Sequence, residues 1–184
     1  MKIEIISLKN LKIDTKLVQD FLFKQIKKEY GYGYIANFHQ DIIKLKETYL
    51  DNNRNNFFIA INLKNNEIIA SIAIREYDKN FKEFENLFSR FTTASIWRLF
   101  VDEEYRRLGI AKKLVKEVEL FSKEKNYSQI YLHTHKTLDG ALEFWTSQHY
   151  NISIDTENEF KTVHMVKNIS TLNTALKYQS KISI

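Results

Sequence analysis

The chain alternates between stretches whose apolar residues repeat at every second position and stretches in which they repeat every three to four. The alternation over Lys2–Ile6 predicts a strand, whereas the helical period over 15–29 and over about 39–50 predicts two helices. The residues expected to face inward on these two helices are Leu17, Phe21, Ile26, Ile42, Ile43, Leu45 and Tyr49.

The next part of the chain predicts a hairpin. Apolar runs at Phe57–Ile61 and Glu67–Ile74 flank the Asn-rich turn Asn62–Asn66, a pattern typical of two antiparallel strands. Residues 78–92 are charged and aromatic and have no clear period, so they are left unassigned. Ser95–Val101 predicts a further strand.

The second half of the chain predicts a helix over about 109–125, a strand over 128–134, a helix over about 138–148 and two strands near 150–154 and 160–167. The apolar stripe on the first of these helices consists of Ile110, Leu114, Val118 and Phe121.

This order of elements predicts an α/β domain of the α+β kind. We expect a mixed, mostly antiparallel sheet of about seven strands, about four flanking helices and one parallel crossover. A single domain over 1–167 accounts for all of these elements. The segment 168–184 is expected to be a tail or a short helix of the same domain.

Composition narrows the function classes. The 184 residues include no Pro, no Cys and only four Gly, which excludes collagen-like and Pro-rich architectures, disulfide scaffolds and Cys-ligated metal sites. The net charge of +5 comes from lysines spread along the chain, so we expect a solvated basic surface rather than a nucleic-acid interface. No apolar run approaches the roughly 20 residues that span a bilayer, and an early acidic residue disfavours a secretory signal. We therefore expect a cytoplasmic protein with no membrane partner.

The candidate chemistry lies where the strand Ser95–Val101 leads through a short turn into a helix. Arg106-x-x-Gly109-x-Ala111 occupies this turn. Backbone N–H groups at a helix N-terminus lack intrahelical partners, so a phosphate can bind there if the backbone is approachable. Gly109 and Ala111 are small, and Arg106 or Arg107 adds positive charge. The turn is not a nucleotide P-loop, because no Gly-Lys-Ser/Thr follows the glycine; an ordinary strand–turn–helix with a loop glycine would have the same spacing.

This segment resembles the acyl-CoA-binding motif of the general N-acetyltransferase (GNAT) superfamily. Further along the chain, Ala141, the pair Phe144-Trp145 and Tyr150 are similar in spacing to the recurring positions of the family's closing strand–helix–strand unit. The resemblance implies that pantetheine follows the strand and that the pyrophosphate lies on the helix N-terminus. The residues that it implies for the acetyl-CoA site are Leu99, Phe100, Val101, Arg106, Arg107, Leu108, Gly109, Ile110, Ala111, Lys112 and Trp145.

Two positions depart from the family's usual proton-transfer residues. Where many members have a glutamate as general base this chain has Ser95, and where many have a tyrosine as general acid it has Trp145. The substitutes near in the sequence are Tyr150, Tyr131 and the pair His133/His135, of which we take Tyr150 and His135 as the catalytic candidates. Tyr150 has an alternative role in the core, and His135 has one as a polar residue at a strand end. His133-x-His135 has no evident third ligand, so we expect no metal.

The family's acceptor pocket corresponds to the segment 30–38, in which aromatic residues alternate with glycines. We expect Tyr30, Tyr32 and Tyr34 to contact the acceptor, the alternative being that they cover the core. The resemblance thus implies an acyl-CoA-dependent N-acetyltransferase in which a primary amine, from a small molecule or a peptide, attacks acetyl-CoA directly. A non-catalytic acyl-CoA-binding module on the same fold is the main alternative, and a basic nucleic-acid-binding domain is a weaker one. The oligomeric state stays open, a homodimer included.

Overall fold

A computed structural model of the chain describes residues 2–78, 84 and 87–169. The strands are β1 (Ile3–Ser7), β2 (Asn56–Asn62), β3 (Glu67–Glu76), β4 (Thr93–Val101), β5 (Gln129–His135), β6 (Asn151–Asp155) and β7 (Thr162–Asn168). The α-helices are α1 (Thr15–Tyr30), α2 (Ala36–Ile43), α3 (Ile110–Glu124) and α4 (Ala141–Ser147).

The strands form one seven-stranded sheet in the order β1-β2-β3-β4-β5-β7-β6. β1 and β3 both run antiparallel to β2, and β7 runs antiparallel to β5 and to β6. β4 and β5 are parallel and are joined by α3, because parallel neighbours require a crossover connection. The predicted hairpin and the mixed sheet are therefore confirmed, and β4, α3 and β5 form the parallel crossover that the sequence predicts.

The chain divides into two compact units, which we call the first and the second unit. The first comprises the residues up to Arg75 together with Trp97–Val118, and the second comprises Glu76–Ile96 and the residues from Glu119 on. β3, β4 and α3 each contribute residues to both units.

The core of the first unit lies between α1, the segment 42–50 and β2. Every residue of β2 is buried, and α1 buries Val18, Phe21, Leu22 and Ile26 against the same cluster. The prediction that Leu17 faces inward is wrong, since this side chain is 56% exposed. Burial on α1 begins one residue later because Val18, with Leu22 and Ile26, forms the i, i+4 stripe.

The second predicted helix, 39–50, is wrong in its boundaries. α2 ends at Ile43, where Lys44 leaves helical backbone with φ −95° and ψ 37°, and a single π-helical turn follows at Lys46–Leu50. The prediction that Ile43 faces inward is also wrong, since its side chain is 48% exposed. Neighbouring residues of a helix point about 100° apart, so Ile43 faces away from the core that Ile42 contacts. The other three inward predictions on this segment, Ile42, Leu45 and Tyr49, are confirmed as buried.

The core of the second unit includes an aromatic cluster formed by Tyr77, Phe84 and Tyr131, against which Phe88 packs. The four apolar residues predicted on α3 are all buried, and α3 begins at Ile110 as the motif requires. β7 ends at Asn168, and the rest of the predicted tail lies, from residue 170 on, outside the described residues. Within the described part of the chain no helix is long and apolar enough to cross a membrane.

Candidate cofactor and acceptor site

Asp102 fixes the end of β4 and the turn that follows it. Its backbone N–H donates to the Ile69 carbonyl at 2.9 Å, and its carboxylate accepts from Gln25 Nε2 at 2.9 Å and lies 3.3 Å from Lys24 Nζ. Burial by itself would raise the pKa of Asp102, but the hydrogen bonds from Gln25 and Lys24 lower it below its ordinary value. The same carboxylate accepts from Glu104 N at 3.4 Å and so caps a short 3₁₀ turn that leads toward α3.

The loop before α3 leaves the first backbone N–H groups of the helix without helical partners. Arg107 has φ 62° and Gly109 has φ 75°, so two left-handed residues flank Leu108. The first hydrogen bond of α3 is donated by Lys113 N to the Gly109 carbonyl at 3.2 Å, which leaves the N–H groups of Ile110–Lys112 without helical partners. Successive N–H groups in such a turn form a concave site for anions, and the positive end of the helix dipole adds to it.

Gly109 owes its place to its backbone conformation. A Cβ added at Gly109 would meet no heavy atom within 4 Å, so nothing in the protein itself requires the absence of a side chain. The φ of 75°, in contrast, is one that only glycine adopts without cost. The space in front of this residue is open to a ligand.

Two arginines lie at this turn and have different surroundings. The Arg106 guanidinium donates to Glu29 at 2.9 Å and to the Val101 carbonyl at 3.1 Å, which holds the turn to α1 and to the end of β4. Arg107 is exposed and makes no ion pair with the described residues. Lys112, on the first turn of α3, is exposed in the same way. The charge available to an anion at this turn thus comes from Arg107 and Lys112.

The second half of β4 is the strand along which the family resemblance predicts pantetheine to lie. The parallel register joins only Thr93–Ser95 of β4 to β5, and β4 continues beyond it to Val101. Leu99, Phe100 and Val101 are half-buried. Arg98, directly before these three residues, has φ 53° and is therefore a left-handed residue within β4. A residue of this kind bends a strand and turns its backbone groups.

The acceptor residues predicted from the sequence lie together at the end of α1 and before α2. The rings of Tyr30 and Tyr32 are stacked with their centroids 5.6 Å apart. The ring centroids of Tyr32 and Tyr34 lie 6.2 and 6.1 Å from that of His39. The three tyrosines are 37–51% exposed, so they do not simply cover the core. Burial, with the nearby Tyr32 and Glu29, raises the pKa of Tyr30 to about 12, which keeps its hydroxyl protonated.

His39 lies at the centre of this aromatic group, and no pattern in the sequence selects it. Its side chain is only 2% exposed, and its Nδ1 accepts a hydrogen bond from Ile35 N at 2.9 Å. Burial, and next the charge of Arg98, lower the pKa of His39 below its ordinary value. His39 is therefore neutral at pH 7 and acts as the packing centre of the exposed tyrosines.

Trp145 and Tyr150 lie in the second unit and pack against each other, with their ring centroids 5.2 Å apart. Trp145 is 6% exposed and Tyr150 is 1% exposed. The Tyr150 hydroxyl donates to Glu119 at 3.4 Å, and Glu119 also pairs with Lys167 at 2.7 Å. Burial and Glu119 raise the pKa of Tyr150 well above its ordinary value, so Tyr150 stays protonated at neutral pH. Roles for Tyr150 in proton transfer and for Trp145 in cofactor binding stay predictions.

Ser95 and His135 also belong to the second unit. Ser95 is fully buried, and its hydroxyl has no hydrogen-bond partner among the residues that the structure describes. His135 is half-buried, and its Nδ1 lies 3.3 Å from the Thr162 hydroxyl. Burial lowers the pKa of His135, which leaves the imidazole neutral at pH 7 and able to accept a proton. In the described ranges no group of three or more His, Asp or Glu side chains is placed to hold a metal ion.

The sequence matches the model of the acetyltransferase (GNAT) family over residues 20–150. Among curated proteins, human N-acetyltransferase 8 is 40% identical over 52 residues. That match spans 28% of this chain and 23% of the human protein.

Solved structures share the fold over most of the chain. A GNAT-family acetyltransferase from Staphylococcus aureus superposes with a TM-score of 0.72 at 21% identity, covering 92% of this chain and 100% of that one. A PaiA N-acetyltransferase from Thermoplasma acidophilum, solved in complex with coenzyme A, gives a TM-score of 0.62 at 18% identity, covering 92% of this chain and 100% of that one. At these identities the likeness establishes the fold.

Proposed function

Because this chain belongs to the GNAT acetyltransferase family, we propose that it transfers an acetyl group from acetyl-CoA to a primary amine. The observation that carries the proposal is the loop before α3. There two left-handed residues, Arg107 and Gly109, precede the unpartnered N–H groups of the first helical turn. Such a loop fits a diphosphate, because phosphate oxygens accept from backbone N–H groups at a helix N-terminus.

The residues present fit the parts of acetyl-CoA in order along the chain. The N–H groups of Ile110–Lys112 would hold the diphosphate, and Arg107 would add charge at its edge. Leu99–Val101 would lie along the pantetheine, since this half of β4 continues past its register with β5. The Thermoplasma relative, solved with coenzyme A, supports the choice of this ligand class.

Acetyl-CoA would supply the acetyl group: the amine nitrogen bonds to the carbonyl carbon, the carbon–sulfur bond breaks, the sulfur leaves as thiolate, and the amine gives up a proton. We assign acceptance of that proton to His135, which is neutral at pH 7. We assign Tyr150, protonated throughout the neutral range, to donation toward the thiolate. A thiol pKa near 8.5 makes the thiolate a tolerable leaving group, so the donor's contribution is a rate factor rather than a requirement.

The amine is assigned to the aromatic segment formed by Tyr30, Tyr32 and Tyr34. Two of its exposed rings, those of Tyr32 and Tyr34, lie against the buried, neutral His39, and Tyr30 stacks on Tyr32. These aromatic rings can pack on the carbon chain of an acceptor or hold a cationic amine by cation–π contact. A small molecule and a peptide both present these features.

A second candidate function is a binding module that holds acyl-CoA without turning it over. Ser95 favours this function, because it occupies the position where many family members have a glutamate as general base. Its hydroxyl is buried and has no basicity at neutral pH, so it cannot take that role. Trp145, which donates a hydrogen bond but is no acid, favours it as well.

The two functions differ in thiol release. The purified protein is titrated with acetyl-CoA by calorimetry and then incubated with acetyl-CoA and a panel of primary amines while free thiol is measured. The acetyltransferase predicts saturable binding and amine-dependent thiol release. Binding without release for any amine would support the binding module, and absence of binding would overturn both.

A further inference from the structure

Arg98 is the residue of β4 whose conformation most needs an explanation. Its φ of 53° lies in the left-handed region, which is sterically costly for a residue with a side chain. Such a residue persists only where the surrounding contacts stabilise it. One of these contacts is made by its own backbone, because the Ser71 hydroxyl donates to the Arg98 carbonyl at 2.8 Å.

The other contacts that stabilise this conformation are made by the Arg98 side chain. Its guanidinium donates to both oxygens of Asp41, from Nη2 at 2.5 Å and from Nε at 3.0 Å, and Nη2 also donates to the Phe38 carbonyl at 2.5 Å. Asp41 accepts a further hydrogen bond from the Tyr49 hydroxyl at 2.7 Å. The side chains of Arg98 and Asp41 are only 12% and 7% exposed, so the pair is shielded from water. Burial alone would raise the pKa of Asp41, but the bonds from Arg98 and Tyr49 lower it.

Both partners of Arg98 belong to α2, and all of these residues lie in the first unit. α2 has only eight residues, no side chain caps its N-terminus, and His39 departs from helical backbone within it at φ −125°, ψ 17°. Besides Arg98 and Tyr49, Gln19 of α1 also holds this helix, because its Nε2 donates to the Ile42 and Ile43 carbonyls at 2.9 and 3.2 Å. A short, kinked helix of this kind needs tertiary contacts to stay in one place.

We propose that Arg98 is a positioning residue that ties the acceptor segment to the cofactor strand. The left-handed turn at Arg98 aims its guanidinium at α2, and the bonds to Asp41 and Phe38 hold α2 and, through His39, the tyrosines before it. This inference rests on the proposed function, because it assigns those tyrosines to the acceptor and β4 to acetyl-CoA. It adds that the buried ion pair between Arg98 and Asp41 sets the position of the acceptor tyrosines relative to β4.

Three variants separate the side chain from the backbone. Arg98→Gly removes the guanidinium but keeps a residue that adopts φ 53° without strain. Arg98→Val removes the guanidinium and also disfavours that φ, since a β-branched residue is an outlier there. Asp41→Asn leaves the arginine and removes the charge that holds it. Arg90→Gly is the control, because it removes an arginine that pairs with Glu76 at 2.8 Å in the second unit.

The first measurement is hydrogen–deuterium exchange. For Arg98→Gly and Asp41→Asn we expect the amides of α2 to exchange about tenfold faster or more, since loss of one partner leaves the other buried and unpaired. The amides of β2 and the behaviour of Arg90→Gly should stay as in the wild type. Unchanged α2 exchange, or a rise of the same size in β2, would overturn the proposal.

The second measurement is a comparison of substrate constants. For Arg98→Gly we expect the KM of the best amine of the panel to rise about tenfold while the acetyl-CoA affinity measured by calorimetry stays within about twofold. For Arg98→Val both should weaken, because the strand also changes shape. An unchanged amine KM in Arg98→Gly would overturn the positioning role even with a loosened α2. Failure of the wild-type protein to bind acetyl-CoA or to acetylate any amine would remove the proposed function itself, a result that these variants do not produce.

Discussion

Gly109 has two candidate roles, and two substitutions separate them. It adopts a left-handed backbone conformation, and it lets acetyl-CoA approach the backbone closely. Gly109→Ala adds a Cβ and disfavours the φ of 75°, whereas Gly109→Asn adds a larger side chain to a residue type that tolerates this φ. A Cβ at this position meets no heavy atom of the protein within 4 Å, so neither substitution causes a clash at that atom.

The magnitude follows from the left-handed conformation. For Ala its cost is about 1–2 kcal/mol. If the loop keeps its shape, this cost lowers the free energy of unfolding and reduces Tm by about 2–8 °C. If the free loop relaxes instead, the same cost appears in acetyl-CoA binding, as at most about a 30-fold loss of affinity. For Asn the conformational cost is smaller, so a large loss of affinity in that variant reports contact with the ligand.

We therefore predict that Gly109→Asn unfolds within about 2 °C of the wild type and binds acetyl-CoA more than about tenfold more weakly. Thermal unfolding followed by circular dichroism and titration calorimetry measure the two quantities. Gly140→Asn is the matched control, because Gly140 also has a left-handed φ, 69°, and open surroundings. Wild-type affinity in Gly109→Asn would show that acetyl-CoA does not approach the backbone of Gly109.

Three further predictions concern charge and proton transfer. Arg107→Ala should weaken acetyl-CoA binding by about two- to fivefold and reduce the salt dependence of that binding. Arg106→Ala should have a smaller effect, because the Arg106 guanidinium already pairs with Glu29; a larger effect of Arg106→Ala would contradict the role of Arg107 at the diphosphate. The pKa of His135 is lowered by burial, so kcat/KM should fall as the pH drops through a value below 6.5, and His135→Gln should abolish this acid limb; a limb that persists excludes His135 as the base. Tyr150→Phe should lower kcat by about 10²–10⁴-fold at unchanged acetyl-CoA affinity, and an unchanged kcat would leave Tyr150 a core residue.

The regular elements could be predicted where one face of the chain is buried. The stripe of α3 and the alternation of the strands follow the burial that the structure shows, because burial on one face imposes the period. The boundaries of α2 could not be predicted. Ile42 and Ile43 are equally apolar, so the apolar pattern does not reveal that the first is buried and the second exposed, nor that helical backbone ends at Lys44.

The site could be predicted where it is local in sequence. The motif from Arg106 to Ala111 places small residues and charge next to a helix start, and the structure has α3 begin within it. Arg98 and Asp41 are 57 residues apart, and no periodicity links them. A charged residue within the apolar run of β4 was the available signal, and its meaning depended on the left-handed φ that a sequence pattern does not reveal.

The most direct test of the account is a titration of ¹⁵N-labelled protein with acetyl-CoA, followed by the chemical shifts of the backbone amides. We expect saturable shifts that are largest at Arg107–Lys112 and continue along Leu99–Val101, because these N–H groups would bind the diphosphate and the pantetheine. Shifts confined to other parts of the chain, or no shifts at millimolar acetyl-CoA, would contradict it.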